Sequence, residues 1–213
     1  HAYIKDDLLC NDVLVGTALV DMYSKCGMLS KAEGAFHDLR IPSRASWNAL
    51  IAGYAQHGCS HEALKCFELM QDQGFVPNAI TFSCILKVCG MLRNLEVGED
   101  IHTKIRNRGL LGKDITLCNA LVDMYAKCGL LAHAQEVFDS LPLQDVISWN
   151  ALITGYTRHD LNEKALHCFE QMQYKGFSPN AVTFISVLKA CAHIGAVDKI
   201  KEIVTEIESR GWL

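Results

Sequence analysis

The chain has 213 residues, 50% hydrophobic and 21% charged, with 15 Gly and 4 Pro, proportions that exclude disordered and collagen-like proteins. Its net charge of -4 offers no bulk attraction to nucleic acid or anionic lipid, so any RNA contact has to be local. No apolar run approaches the roughly 18 residues of a membrane span, and 10 cysteines without a CxxC pair, behind a start lacking a signal-peptide pattern, point to a reducing compartment.

In chain order, residues 1–12 read as the tail of a helical hairpin, followed by hairpin units over 13–43, 44–78 and 79–114. The cycle restarts with units over 115–145, 146–180 and 181–213, the last one incomplete, so the chain is expected to be a slice of a longer array. The three unit lengths are 31, 35 and 36 residues, which together make a period of 102. That period is visible directly: ALVDMYSKCG at 18–27 recurs as ALVDMYAKCG at 120–129, SWNALIAGY at 46–54 as SWNALITGY at 148–156, and GFVPNAITF at 74–82 as GFSPNAVTF at 176–184. Without a gap, residues 13–111 match 115–213 at 45 of 99 positions, which is tandem duplication.

Within a unit the helical period is clear. Trp47, Leu50, Ile51 and Tyr54 stand at i, i+3, i+4 and i+7, on one face of a first helix, and Ala63, Phe67 and Met70 do the same for a second. The period breaks around Gly58, as a short turn requires. GFVPN at 74–78 ends the pair with Gly at the C-terminal cap and Pro just beyond. A lone hairpin cannot bury both apolar faces, so successive hairpins must stack; the expected fold class is all-α, an α-solenoid whose inner surface is lined by the first helices.

The recurring SWNALIxGY, DMYxKCG, EALxCFExM and GFxPN segments closely resemble the plant pentatricopeptide repeat family, and the 31, 35, 36 alternation resembles its PLS subclass. In that register 13–43 and 115–145 are S repeats, 44–78 and 146–180 are P repeats, 79–114 and 181–213 are L repeats, and 1–12 is the end of an L repeat. The resemblance covers essentially the whole chain. It implies sequence-specific binding of single-stranded RNA, one repeat per base, in a mitochondrion or chloroplast, in the service of RNA editing or processing. In full-length PLS members the deaminase is a separate C-terminal zinc domain carrying HxE and PCxxC. Neither motif occurs here, so the chain is expected to address an RNA without altering it, to need no cofactor, and to work with editing-factor proteins or a deaminase domain outside it.

By family register, the fifth and last residues of a repeat read one base. This assigns Thr17 with Ser43, Asn48 with Asn78, Asn119 with Asp145, and Asn150 with Asn180. Family precedent gives uracil to Asn119 with Asp145 and a pyrimidine, cytosine preferred, to both Asn–Asn pairs. A carboxamide donates and accepts at once and its reach suits a pyrimidine, whereas the short hydroxyl of Thr17 leaves room for a purine. In the L repeats Ser83 with Asp114 and Ile185 carry no dependable readout. Asn48 lies about 100° around the helix from Trp47, off the core stripe, and is expected at the surface.

The second residues Leu14, Ala45, Ile80, Thr116, Ile147 and Val182 match the family's base-sandwiching position, with inter-repeat packing as the alternative. Lys25, Lys127 and Arg158 match a position near phosphate, with the helix macrodipole as the alternative; Gln56 holds the equivalent place without charge. Cys26, Cys66 and Cys89 recur at Cys128, Cys168 and Cys191, so repeat consensus explains them as small semi-buried residues and not as metal ligands. His167 and Cys168 are helix neighbours pointing about 100° apart and form no nucleophile–base pair. Two other readings stay open: a peptide-binding scaffold, which the acidic charge favours, and dimerisation through the apolar faces of terminal hairpins.

Overall fold

A computed structural model describes residues 13–212, and all regular structure among them is helical. The helices are α1 (Val13–Lys25), α2 (Leu29–His37), α3 (Arg44–Gln56), α4 (Ser60–Asp72), α5 (Ala79–Leu92), α6 (Leu95–Asn107), α7 (Ile115–Cys128), α8 (Leu131–Asp139), α9 (Val146–Arg158), α10 (Asn162–Tyr174), α11 (Ala181–Ile194) and α12 (Val197–Ser209). The reading of residues 1–12 as the end of a hairpin lies outside the described residues. The fold is an all-α helical-repeat solenoid. None of the described helices is long and apolar enough to cross a membrane.

Local sequence explains where the helices start. Ser43, Asn78, Asp145 and Asn180 are extended, and each side chain accepts from the backbone N–H three residues on, which closes a capping box with Ser46, Thr81, Ser148 and Thr183 respectively. The first helices therefore begin on polar side chains. The second helices α2, α4, α8, α10 and α12 have no side-chain cap at all and begin two residues after a left-handed one. Gly27, Gly58, Gly129 and Gly195 fill that role, while Asp160 takes it at φ 58° in the place that Gly58 holds one period earlier.

The chain forms two compact units that divide after Thr103. In the first, α1 packs on α2 and α3, and α3 packs also on α4 and α5. In the second, α7 packs on α8 and α9, α9 also on α10 and α11, and α11 on α12. The expected stripes are the core: Trp47, Leu50, Ile51, Tyr54, Ala63, Phe67 and Met70 are all buried. Trp47 meets Phe36 at a ring separation of 4.5 Å, and Trp149 meets Phe138 at 4.6 Å, so each large indole locks one hairpin onto the preceding one.

Gly53 and Gly155 set how closely first helices approach. A Cβ on Gly155 would stand 2.6 Å from the Cβ of Ala126, and one on Gly53 would stand 2.5 Å from the Oγ of Ser24. A second tie was not anticipated from the sequence. His57 Nε2 lies 2.9 Å from the Ser24 carbonyl oxygen and His159 Nε2 lies 3.0 Å from that of Ala126, so a ring at the end of one first helix adds a second partner to a carbonyl near the end of the preceding one, which also accepts from the Gly27 or Gly129 N–H. The pair stands 102 residues apart in YAQHG and YTRHD, and that recurrence was the available signal.

Candidate nucleic-acid interface

Three of the four fifth-and-last pairs meet in space. Asn48 donates from Nδ2 to Asn78 Oδ1 at 3.2 Å, Asn150 donates to Asn180 Oδ1 at 3.0 Å, and Asn119 donates to both carboxylate oxygens of Asp145 at 3.1 Å. Each acceptor is also a helix cap. Asn78 Oδ1 accepts from Thr81 N–H, Asn180 Oδ1 from Thr183 N–H, and Asp145 Oδ1 from Ser148 N–H. A backbone N–H can be met only by oxygen, so the cap dictates which way each carboxamide is turned and leaves its NH2 group as the remaining polar end. Asp145 has a second oxygen and no proton to donate. The two kinds of pair therefore leave opposite polarity at the last position: a donor at Asn78 and Asn180, an acceptor at Asp145.

Thr17 and Ser43 line the same groove without a hydrogen bond between them among the described residues. Ser43 Oγ is engaged as the α3 cap, accepting from Ser46 N–H at 3.1 Å, and Thr17 Oγ1 is enclosed without a partner. Asp114 caps α7 through the N–H groups of Thr116 and Leu117. Ile185 is exposed.

In the first unit these residues form one concave surface. A groove of about 820 Å³ is lined by α1, the start of α3 and the start of α5, with Leu14, Thr17, Ser43, Ala45, Asn48, Asn78 and Ile80 in its walls. The second-position side chains Leu14, Ala45, Ile80, Thr116, Ile147 and Val182 are all exposed, Leu14 at 79% and Ile147 at 64%. The alternative of inter-repeat packing does not hold for them: side chains that packed between hairpins would be covered. Four of the six, Leu14, Ile80, Ile147 and Val182, are large apolar side chains left open at one register.

One expectation needs correction. Asn48 is not a surface residue; it is 8% exposed, and Asn119 and Asn150 are buried likewise. The helical-wheel argument assumed one covered stripe, whereas α3 is flanked by α1 and α5 as well as by α4, so an unbroken run from Ser46 to Ile51 is buried. Lys25 and Lys127, matched to the position near phosphate, are each paired at 2.6 Å with the aspartate one turn earlier, Asp21 or Asp123. Arg158 is exposed. A basic residue that register matching passed over, Arg44, lines the groove at the first position of α3. A cation at a helix N-terminus opposes the macrodipole, so helix stability does not account for it.

The cysteines divide by position. Cys89, Cys118, Cys168 and Cys191 are buried, but Cys26 is exposed where semi-burial was expected, because it follows the last turn of α1. Burial pushes the Cys66 and Cys168 thiols up to about 11, and burial aided by the Glu33 carboxylate pushes the Tyr54 hydroxyl up to about 12. These groups are neutral at physiological pH and are packing residues.

Sequence models of the PPR repeat family match residues 42–91 and 144–193, and models of the PPR repeat match 17–40 and 116–144. The Arabidopsis thaliana pentatricopeptide repeat-containing protein CRR2, chloroplastic, is 40% identical over 205 residues, covering 95% of this chain and 31% of that protein. The mitochondrial pentatricopeptide repeat-containing protein At3g02330 of Arabidopsis thaliana is 36% identical over 221 residues, covering 93% of this chain and 24% of the relative. The chain thus spans less than a third of either. Among solved structures, the pentatricopeptide repeat protein PPR10 from maize covers 98% of this chain with 31% of its own length, at a TM-score of 0.69 and 19% identity. PPR10 in complex with an 18-nt psaJ RNA element covers 98% of this chain with 32% of its own at 0.77, also at 19% identity. At that identity the likeness concerns the fold.

Proposed function

The chain belongs to the pentatricopeptide repeat family, and on that footing we propose that it is a sequence-specific module for single-stranded RNA that reads one base per repeat. The observation that carries this reading is the pairing of fifth and last residues beside exposed apolar side chains in one groove. The polarity of the pairs matches the pyrimidine edges. Uracil presents N3–H, a donor, which Asp145 Oδ2 would accept on the lone pair that its one bond from Asn119 leaves; cytosine presents N3 as an acceptor, which the NH2 of Asn78 or Asn180 can meet. Leu14, Ala45, Thr116 and Ile147 would pack on base faces, and Arg44 and Arg158 would meet phosphates.

The repeats are proposed to follow the S, P, L register given above, with the protein N-terminus toward the RNA 5′ end. From Thr17 to Asn180 the expected order is any base with weak purine bias, pyrimidine, any base, uracil, pyrimidine. The larger role is specification of an organellar transcript site for editing or processing, with chemistry supplied by another domain or partner; relatives named chloroplastic and mitochondrial support the compartment.

Selection from a random single-stranded RNA pool tests the reading. It predicts pyrimidine enrichment at the second, fourth and fifth places, with uracil at the fourth. Selected pools without that enrichment would refute base reading, and binding to a peptide library with none to RNA would establish the scaffold reading instead.

A further inference from the structure

The three assembled pairs are not built alike, and the difference lies in the residue that closes the next hairpin's capping box. At the first Asn–Asn pair, Thr81 Oγ1 donates to Asn48 Oδ1 at 2.6 Å while accepting from Asn78 N–H at 3.1 Å. At the second, Thr183 Oγ1 donates to Asn150 Oδ1 at 2.6 Å while accepting from Asn180 N–H at 3.0 Å. A hydroxyl has one proton. Although Thr81 Oγ1 also lies 3.0 Å from Asn78 Oδ1, the shorter contact takes it. Both ends of Asn48 and Asn150 are thereby held: the oxygen by the threonine, the nitrogen by the paired asparagine.

The Asn119–Asp145 pair lacks this hold. The equivalent of the threonine is Ser148, whose hydroxyl donates to the Asp145 carbonyl oxygen at 2.8 Å, and Asn119 Oδ1 is enclosed with no partner among the described residues. Here orientation comes from charge alone, because a carboxylate only accepts and so draws the NH2 end of Asn119 to itself. At the Asn–Asn pairs the partner carries no charge and is turned oxygen-inward only by its own cap bond, so the threonine supplies a second constraint on the amide direction, at the oxygen end.

We infer that Thr81 and Thr183 are positioning residues for base readout by the preceding repeat, fixing the amide direction of Asn48 and Asn150, and that Ser148 has no such part. The two threonines are fully buried, so they act through the asparagines and not by touching RNA. Readout at an Asn–Asn pair then takes three residues from two repeats, and at the Asn–Asp pair two. This inference rests on the base-reading function proposed above.

The test compares T183V, T183S and S148A with the wild type on RNAs that carry cytosine or uracil at the fifth place, and uracil or cytosine at the fourth. T183V and S148A remove the same kind of backbone cap contact, since Ser148 Oγ accepts from Asp145 N–H at 2.9 Å, but only T183V frees an amide. The expected result is at least a roughly fivefold loss of the cytosine-to-uracil ratio at the fifth place in T183V, retention in T183S, and an unchanged fourth-place ratio in both T183V and S148A. General loosening of the fold lowers affinity for every RNA equally and leaves ratios intact, so a T183V ratio equal to wild type overturns the inference. Equal ratio losses in T183V and S148A, each at its own place, also overturn it. T81V, read at the second place, supplies an independent copy should T183V fail to fold. A wild type without base preference at either place would instead remove the underlying base-reading proposal, an outcome distinct from the other two.

Discussion

Replacing Asp145 by Asn brings to the fourth place the carboxamide found at the last position twice elsewhere in the chain, without the threonine that holds those two pairs, and it should move fourth-place preference from uracil toward cytosine. The cap survives, because a carboxamide oxygen can accept from Ser148 N–H as Asn180 Oδ1 does from Thr183 N–H at 3.2 Å, and Asn and Asp are equivalent at that position. What is lost is one of the two 3.1 Å bonds from Asn119 and the negative charge at the start of α9. Those changes cost about 1–2 kcal/mol of stability, from roughly 1 for a charge-assisted bond made neutral and a few tenths to 1 for the dipole. On the RNA side, an acceptor facing uracil N3–H becomes a donor facing it, while cytosine N3 gains a donor. With about 1–3 kcal/mol for each base-edge match, the combined swing is about 2–6 kcal/mol, roughly thirtyfold to ten-thousandfold in the uracil-to-cytosine ratio. The assay is fluorescence anisotropy at fixed salt on two RNAs differing only at that base, with circular dichroism to check helicity. The ratio is insulated from the smaller protein charge, which raises affinity for both RNAs alike. Retained uracil preference in a folded D145N protein would refute the polarity argument, as would equal weakening for both bases.

Replacing Asn119 by Thr withdraws the NH2 from Asp145 and opens space, so fourth-place preference should shift toward guanine in the same assay; unchanged preference would make Asn119 a packing residue only. R44A should weaken binding to all sequences and reduce the salt slope by about one without altering base ratios, because a phosphate contact carries no sequence information. Gly155→Ala puts a Cβ 2.6 Å from that of Ala126. Overpacking of about 1–3 kcal/mol outweighs the gain in helix propensity of up to about 1, and thermal denaturation should show Tm lowered by a few degrees. For pH, Cys66 and Cys168 rise from 9.0 to about 11 and Tyr54 from 10.0 to about 12. The folded chain holds these protons more tightly, so their contribution is intact below pH 9 and is lost as pH rises through 11 and then 12. Tm should accordingly be flat from pH 7 to 8.5 and fall above 9; a Tm rising in that range would contradict the burial of these groups.

The helical hairpins and the buried stripes were legible in the sequence because they depend on local signals repeated 102 residues apart. A capping box needs residues three apart, a stripe needs neighbours within two turns, and duplication shows each of them twice. The pairing of Lys25 with Asp21 was legible in the same way, as an i, i+4 pair within DMYSK. The candidate pairs were placed by family register alone. Nothing in helical periodicity links Asn48 to Asn78 or Asn119 to Asp145, which lie 30 and 26 residues apart.

Tertiary packing decided the rest, for a geometric reason. A helix wheel has one inside and one outside, but a first helix in a stack has neighbours on both flanks, so Asn48, Asn119 and Asn150 are covered by contacts that no single helix specifies. Burial then makes hydrogen-bond partners obligatory, and which partners are available depends on the N-terminus of the following hairpin: Thr81 and Thr183 reach the asparagine oxygen, and Ser148 turns to the backbone. Threonine and serine are interchangeable as capping-box residues in sequence. Their hydroxyls have the same reach, so which acceptor each one takes, the preceding asparagine or its own cap carbonyl, is set only once the helices are packed.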